Sequence, residues 1–259
     1  MKLKQMIDLE NAKKEFEKYI NNYDLKNPEI ERKVGHSYRV ARISEKIAKS
    51  SNLSNEEIEL TILIGLLHDI GRFEQQTKYR TFSDANSVDH GKLGAEILEE
   101  NDYIRNYIKD AKYDNIIKIA IYNHNKYEIE KGLDDKTLTF CKIIRDSDKL
   151  DILYEAIEMY WKDNIKVEEG ITEKVLKDFK FGRQILNQDK ITQLDKAIAI
   201  ISYIYDINYV ESFEMIKEKN YINKIMNKFE IKNRNVKEQF EEVRSIANNY
   251  VEDKIKNME

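Results

Sequence analysis

His36, His68, His90 and His124 are the only histidines of this 259-residue chain, and all four lie in its first half. His68 is followed directly by Asp69 at the end of the apolar run Leu60-Thr61-Ile62-Leu63-Ile64-Gly65-Leu66-Leu67. A second acidic cluster, Arg145-Asp146-Ser147-Asp148-Lys149-Leu150-Asp151, interrupts another apolar stretch. Imidazole nitrogen and carboxylate oxygen together suit borderline divalent cations such as Mn, Fe, Co, Ni or Zn. A metal site is therefore the leading expectation.

The elements that must carry these residues read as helices. A single proline, eight glycines and abundant Lys, Glu, Leu and Ile leave few breaks, and apolar residues recur at spacings of three and four. A first helix is expected over residues 9–22 and a second over 28–50, where His36, Val40, Ile43 and Ile47 share a face. Ser54-Asn55-Glu56-Glu57 has the form of a capping box, so a third helix should start there and continue through His68-Asp69. Residues 73–89 show no helical period and read as a long loop. Asp89 or Ser87 can cap a helix carrying His90 in its first turn. Further on, Ile117, Ala120, Ile121 and His124 share one helix face, and Leu138, Cys141, Ile144, Asp148 and Ile152 share another. Each candidate ligand thus extends an apolar stripe of a different helix, which is how a site is built inside a helical core. Amphipathic helices are expected over 191–209, 210–229 and about 236–256.

Composition narrows the class. The 41% hydrophobic content suffices for a sizeable core, and 44 basic against 48 acidic residues leave a net charge of −4, which favours neither nucleic acid nor an acidic membrane as partner. Cys141 stands alone, which rules out an intramolecular disulfide and a CxxC motif and suits a reducing compartment. No stretch approaches the ~18 apolar residues of a membrane span, and the start lacks a signal-peptide core, so a cytoplasmic protein is expected.

Taken one at a time, each histidine could be a hydrogen-bonded core residue; the ordered set points to a shared centre. The series His36, His68-Asp69, His90, His124, Asp148, with Asp146-Ser147-Asp148-Lys149-Leu150-Asp151, resembles the HD-domain superfamily of metal-dependent phosphohydrolases over residues 35–160. The resemblance implies an all-α HD-domain helical bundle: an N-terminal helix in 1–30, a metal-binding core in 31–160 and additional C-terminal helices in 161–259 packed on it. It also implies that His36, His68, Asp69 and Asp148 hold one divalent metal, and that His90 and His124 complete a second with Asp69 as bridge. The cofactor would be one or two of Mn, Fe, Co, Ni or Mg. Asp148 has competitors in Asp146 and Asp151, of which Asp151 lies nearer its helical face; the family pattern favours Asp148. For the outer ring nitrogens, Asp146, Asp151, Asp89 and Glu96 are available as acceptors.

Cations nearby suit phosphate. Arg72 follows the His-Asp pair by one turn, in a Gly71-Arg72-Phe73-Glu74 run common in proteins resembling this one, and Lys149 follows Asp148. Asp69, Arg72 and Lys149 are the catalytic candidates, and Arg72, Arg80 and Lys149 the substrate-binding ones, with Tyr79 or Phe82 available to a flat ring. The expected partner is a small phosphorylated substrate such as a nucleotide, with a homodimer compatible with the apolar C-terminal helices. Those helices are expected to shape the substrate site or make a subunit contact without supplying ligands. Two other readings use similar residues: a di-iron oxygenase of the same fold and a nucleotide-binding regulator without turnover.

Overall fold

Local signals account for where the helices begin. Asn27 accepts a hydrogen bond from the Glu29 N–H with Pro28 in the first helical position, Ser54 and Glu57 complete a reciprocal capping box, and Asp89 accepts from the Lys92 N–H. In the computed structural model, which describes residues 7–162 and 164–258, these starts open α2 (Pro28–Ser50), α3 (Asn55–Leu67) and α5 (His90–Glu99). With them stand α1 (Leu9–Ile20), α4 (Ile70–Tyr79), α6 (Asp114–Asn123) and α7 (Asp135–Glu155). The described residues divide into two compact units, the first ending at Asp148 and the second beginning at Lys149. The division falls inside α7.

Within the first unit, α3 is apolar on nearly every side and buries Leu60, Leu63, Ile64, Leu66 and Leu67. Around it pack Phe16 of α1, Phe73 of α4, Ile117 and Ile121 of α6, and Phe140 and Ile144 of α7. The Phe16 and Phe73 rings meet edge to face at 5.9 Å, and the Tyr19 hydroxyl donates to the Ile70 carbonyl at 3.1 Å, tying α1 to the start of α4.

Two glycines set how closely the site-bearing helices approach. A Cβ on Gly71 would lie 2.4 Å from the His90 carbonyl oxygen and 2.8 Å from the Gly94 nitrogen, so α4 meets α5 backbone to backbone. A Cβ on Gly91 would lie 2.9 Å from the Ile121 carbonyl, which places α5 close against α6 as well. Each glycine stands one or two residues from a candidate ligand, Gly71 after Asp69 and Gly91 after His90.

Two local expectations are corrected here. The third helix does not run through His68-Asp69: α3 ends at Leu67, His68 is its C-cap, and Asp69 is the N-cap of a new helix. The 73–89 segment is not one long loop either, because residues 73–79 belong to α4. What hid the helix is Gln75, a polar residue fully buried on its inner face, whose amide donates to Asp84 Oδ1, Ser87 Oγ and the Val88 carbonyl, each at 2.9 Å. Gln75 thereby pins the 80–89 segment to α4.

The second unit comprises a π-helical turn over Ala156–Tyr160, β1 (Ile165–Val167), α8 (Glu173–Lys180), α9 (Gln193–Ile201), α10 (Val210–Glu218), α11 (Tyr221–Met226), β2 (Phe229–Ile231) and α12 (Arg234–Met258). The strands pair in parallel, Ile165 opposite Phe229 and Val167 opposite Ile231. They add a minor element to an otherwise all-helical fold. The expected 191–209 and 210–229 helices are each shorter: α9 passes into a 3-10 turn at Ser202, and α10 gives way to α11 around Asn220, whose φ is 53°. Residues 1–6 of the expected N-terminal segment lie outside the described residues. Among the described residues, no helix is long and apolar enough to cross a membrane.

Candidate metal centre

His68 and His124 are held in the same way. Each stands at the C-cap of its helix, and its Nδ1 lies against the carbonyl three residues back, Gly65 at 2.8 Å and Ile121 at 2.6 Å. A carbonyl oxygen only accepts, so Nδ1 carries the proton and, in the neutral ring, Nε2 bears a lone pair. His90 is fixed through a carboxylate instead: its Nδ1 donates to Asp84 Oδ2 at 2.7 Å. Three Nε2 lone pairs are thereby aimed inward.

They converge on Asp69, which is buried. Its Oδ1 lies 3.4 Å from His90 Nε2 and 3.5 Å from His124 Nε2, and those two nitrogens are 3.0 Å apart. Its Oδ2 lies 3.4 Å from His36 Nε2 and 3.5 Å from His68 Nε2, which are 3.1 Å apart. Asp148 Oδ1 joins this second group at 3.1 Å from His36 and 3.7 Å from His68. The six residues placed together by the sequence reading thus form two clusters, with one carboxylate oxygen of Asp69 in each. Asp151, the competitor of Asp148, falls in the second unit.

The donor set tests whether cations fit. His90 Nε2, His124 Nε2 and Asp69 Oδ1 are all electron-pair donors to a cation, with no proton among them to relieve their contact. Ligand atoms about 2.1 Å from one shared ion stand roughly 3.0–3.5 Å from each other in octahedral or tetrahedral arrangements. The separations here span 3.0–3.7 Å. His36, His68 and Asp69, and likewise Asp69, His90 and His124, can each hold an ion.

Electrostatics keeps these groups in the protonation states that ligate. Burial, reinforced by the Arg72 charge, pulls His90 down to about 3 and so keeps it neutral; burial also lowers His68. Burial pushes the Asp69 carboxyl up but is outweighed by the Lys33 charge, which holds it well below the usual carboxylate range.

A family model described as the HD domain matches residues 34–153, a span containing all six clustered residues. The match is consistent with an HD-domain superfamily protein. HD domains bind divalent metals and belong to a superfamily of metal-dependent phosphohydrolases. Searches of curated proteins and of solved structures found no match.

Around the HD cluster, the cations named from sequence take different places. Arg72 Nη1 donates to Gln75 Oε1, the Phe82 carbonyl and Asp84 Oδ1 at 2.6–3.1 Å, while its buried Nε, 3.7 Å from Asp69 Oδ1, has no hydrogen-bond partner among the described residues. Arg80 is exposed at the left-handed C-cap of α4. Lys149 is buried in the second unit with its ammonium 2.6 Å from Asp206 Oδ2 and 5.6 Å from the Tyr203 ring, so its charge already serves an internal pair. Lys126 pairs with Asp89, whose carboxyl is lowered to about 2: burial raises it and is outweighed by Lys126 and Asn125.

Two residues of the site were not found from sequence. Asp84, in a polar segment without periodicity, accepts from His90, Arg72, Gln75 and Asn125. Lys33 donates to Asp69 Oδ2 at 2.6 Å and is buried; the available signal was a lysine one turn before His36 on a helix face otherwise closed to solvent. Asp84→Asn should disturb the proton that fixes the His90 ring. Partners of this kind are worth about 10–100-fold in metal affinity or activity. Metal titration of the variant checks this, and unchanged affinity would mean that Asp84 serves the loop alone.

Proposed function

We propose that the protein is a metal-dependent phosphohydrolase cleaving a phosphoester of a nucleotide or another small phosphorylated metabolite. The observation that supports it best is the division of Asp69 between two electron-rich clusters, since a carboxylate split in this way suits a pair of divalent ions. His36, His68, Asp148 and Asp69 Oδ2 would hold one ion; His90, His124 and Asp69 Oδ1 would hold the other. When bound, such ions polarise phosphoryl oxygens and make a water acidic enough to attack near neutral pH. The chain's own contribution is placement. Backbone carbonyls and Asp84 fix the ring tautomers, Lys33 holds Asp69 from one side, and the open Arg72 Nε offers a donor to a phosphoryl oxygen beside Oδ1.

The test is protein reconstituted separately with Mn, Fe, Co, Ni or Mg and incubated with a panel of phosphorylated metabolites, following both phosphate release and product identity. Metal-dependent release that chelation abolishes is the expected result. Oxygen consumption by the iron form without phosphate release, or a ligand retained without product after long incubation, would contradict it.

A further inference from the structure

One amide nitrogen joins the two carboxylates that flank the His90 ring. Asn125, directly after His124, donates from Nδ2 to Asp84 Oδ2 at 3.1 Å and to Asp89 Oδ1 at 2.9 Å. Asp84 Oδ2 is also the oxygen that takes the His90 Nδ1 proton, and Asp89 is the N-cap that opens α5 one residue before His90. The amide nitrogen lies 3.2 Å from His90 Nδ1 as well. Both atoms carry hydrogens, so that contact follows from their sharing one acceptor.

The direction of the amide is set by its surroundings. Turned over, it would face both carboxylates with its oxygen; as it stands, Oδ1 is buried with no hydrogen-bond partner among the described residues. Gly91 makes room for that oxygen, since a Cβ there would come within 2.6 Å of it. An unsatisfied buried acceptor costs stability, and what accompanies it here is two N–H groups aimed at two anions. A hydroxyl has one hydrogen to give, and an ammonium would add charge beside a neutral imidazole; a short amide supplies two uncharged hydrogens from one atom. Asp84 sits on a three-residue 3-10 turn, so its carboxylate takes its direction from its partners. Its Oδ1 is held from α4 by Arg72 at 3.1 Å and Gln75 at 2.9 Å, and Asn125 supplies the hold from the end of α6.

We propose that Asn125 is a positioning residue of the second cluster: by joining Asp84 to Asp89 it sets the carboxylate that keeps the proton on His90 Nδ1 and leaves Nε2 free to ligate. The link to ligation rests on the metal reading of the centre. His68 and His124 need no such device, because backbone carbonyls hold their Nδ1 protons.

The test is nitrogen–proton correlation NMR of the histidine rings in the metal-free full chain near neutral pH, with His90 assigned from the signals lost in His90→Gln. The parent should show His68, His90 and His124 each protonated at Nδ1. Asn125→Ala, and Asn125→Ser as the smaller change, should convert the His90 pattern into a mixture with the Nε2-protonated form while His68 and His124 keep theirs. In titrations with Mn, Asn125→Ala should weaken one of two ions about tenfold. In an Asp84→Asn background the same change should cost about twofold or less, because the amide acts through Asp84. A His90 ring that stays protonated at Nδ1 in both variants, a change shared by His68, or a tenfold loss that persists without the Asp84 carboxylate would overturn the proposal. The tautomer is read without metal, so a parent that bound no second ion would count against the metal reading alone.

Discussion

Asp69→Asn is expected to empty both halves of the centre at once. The change keeps the shape of the side chain but removes the charge that both histidine clusters share, and leaves the Lys33 ammonium without its carboxylate. Metal content should fall well below one ion per chain, and hydrolysis should drop by roughly three orders of magnitude, about 4 kcal/mol of transition-state stabilisation. Replacing His90 or His124 should act on one half only, lowering stoichiometry toward one ion while His36, His68 and Asp148 keep theirs. Elemental analysis of the three variants separates the outcomes. An Asp69→Asn protein that kept the parent's metal content would show that Asp69 is not shared.

A second large effect is expected in the metal-free protein as pH falls. His90 titrates near 3 in the folded chain, because of burial and then the Arg72 charge, against about 6.5 when unfolded. Between these values the unfolded state binds the proton that the folded state refuses. Stability is therefore fully present above pH 6.5 and is lost as pH falls toward 3, with His90 alone contributing up to about 1.4 kcal/mol per pH unit. His68, lowered by burial, adds in the same direction. Asp69 acts in a lower window: its depressed value gives stability that is present above the ordinary carboxylate range and is lost only below it. Urea unfolding after chelation, at pH 7.5, 6.5 and 5.5, should show only a small fall across the first interval and a clearly larger one across the second. A flat profile down to pH 5 would mean that these imidazoles are protonated in the folded state.

The legible parts of this molecule were those with a period or a cap. The Ser54-Glu57 box, Pro28 after Asn27, and the stripes through His36, His124 and Asp148 all gave their helices from the sequence. Hidden were the places where a polar residue does what an apolar one usually does. Gln75 and Lys33 occupy buried helix faces because Asp84 and Asp69 satisfy them, and those carboxylates lie 9 and 36 residues away in the chain. The helix break at His68-Asp69 was hidden for a related reason: the run through Leu67 is apolar all round, so its pattern continues past the point where the His68 ring turns back to the Gly65 carbonyl. Asp84 left no periodic trace, since its role depends on a loop conformation set by Gln75. The three-residue strands were too short to alternate.

We propose that Asp69 joins two metal sites within the stretch that matches the HD-domain model. Diffraction from crystals grown with Mn, collected on both sides of the metal absorption edge, tests it most directly. Two anomalous peaks are expected, one among His36, His68, Asp148 and Asp69 Oδ2 and the other among His90, His124 and Asp69 Oδ1. Peaks that leave Asp69 uncoordinated, or crystals in which neither cluster holds metal, would contradict it.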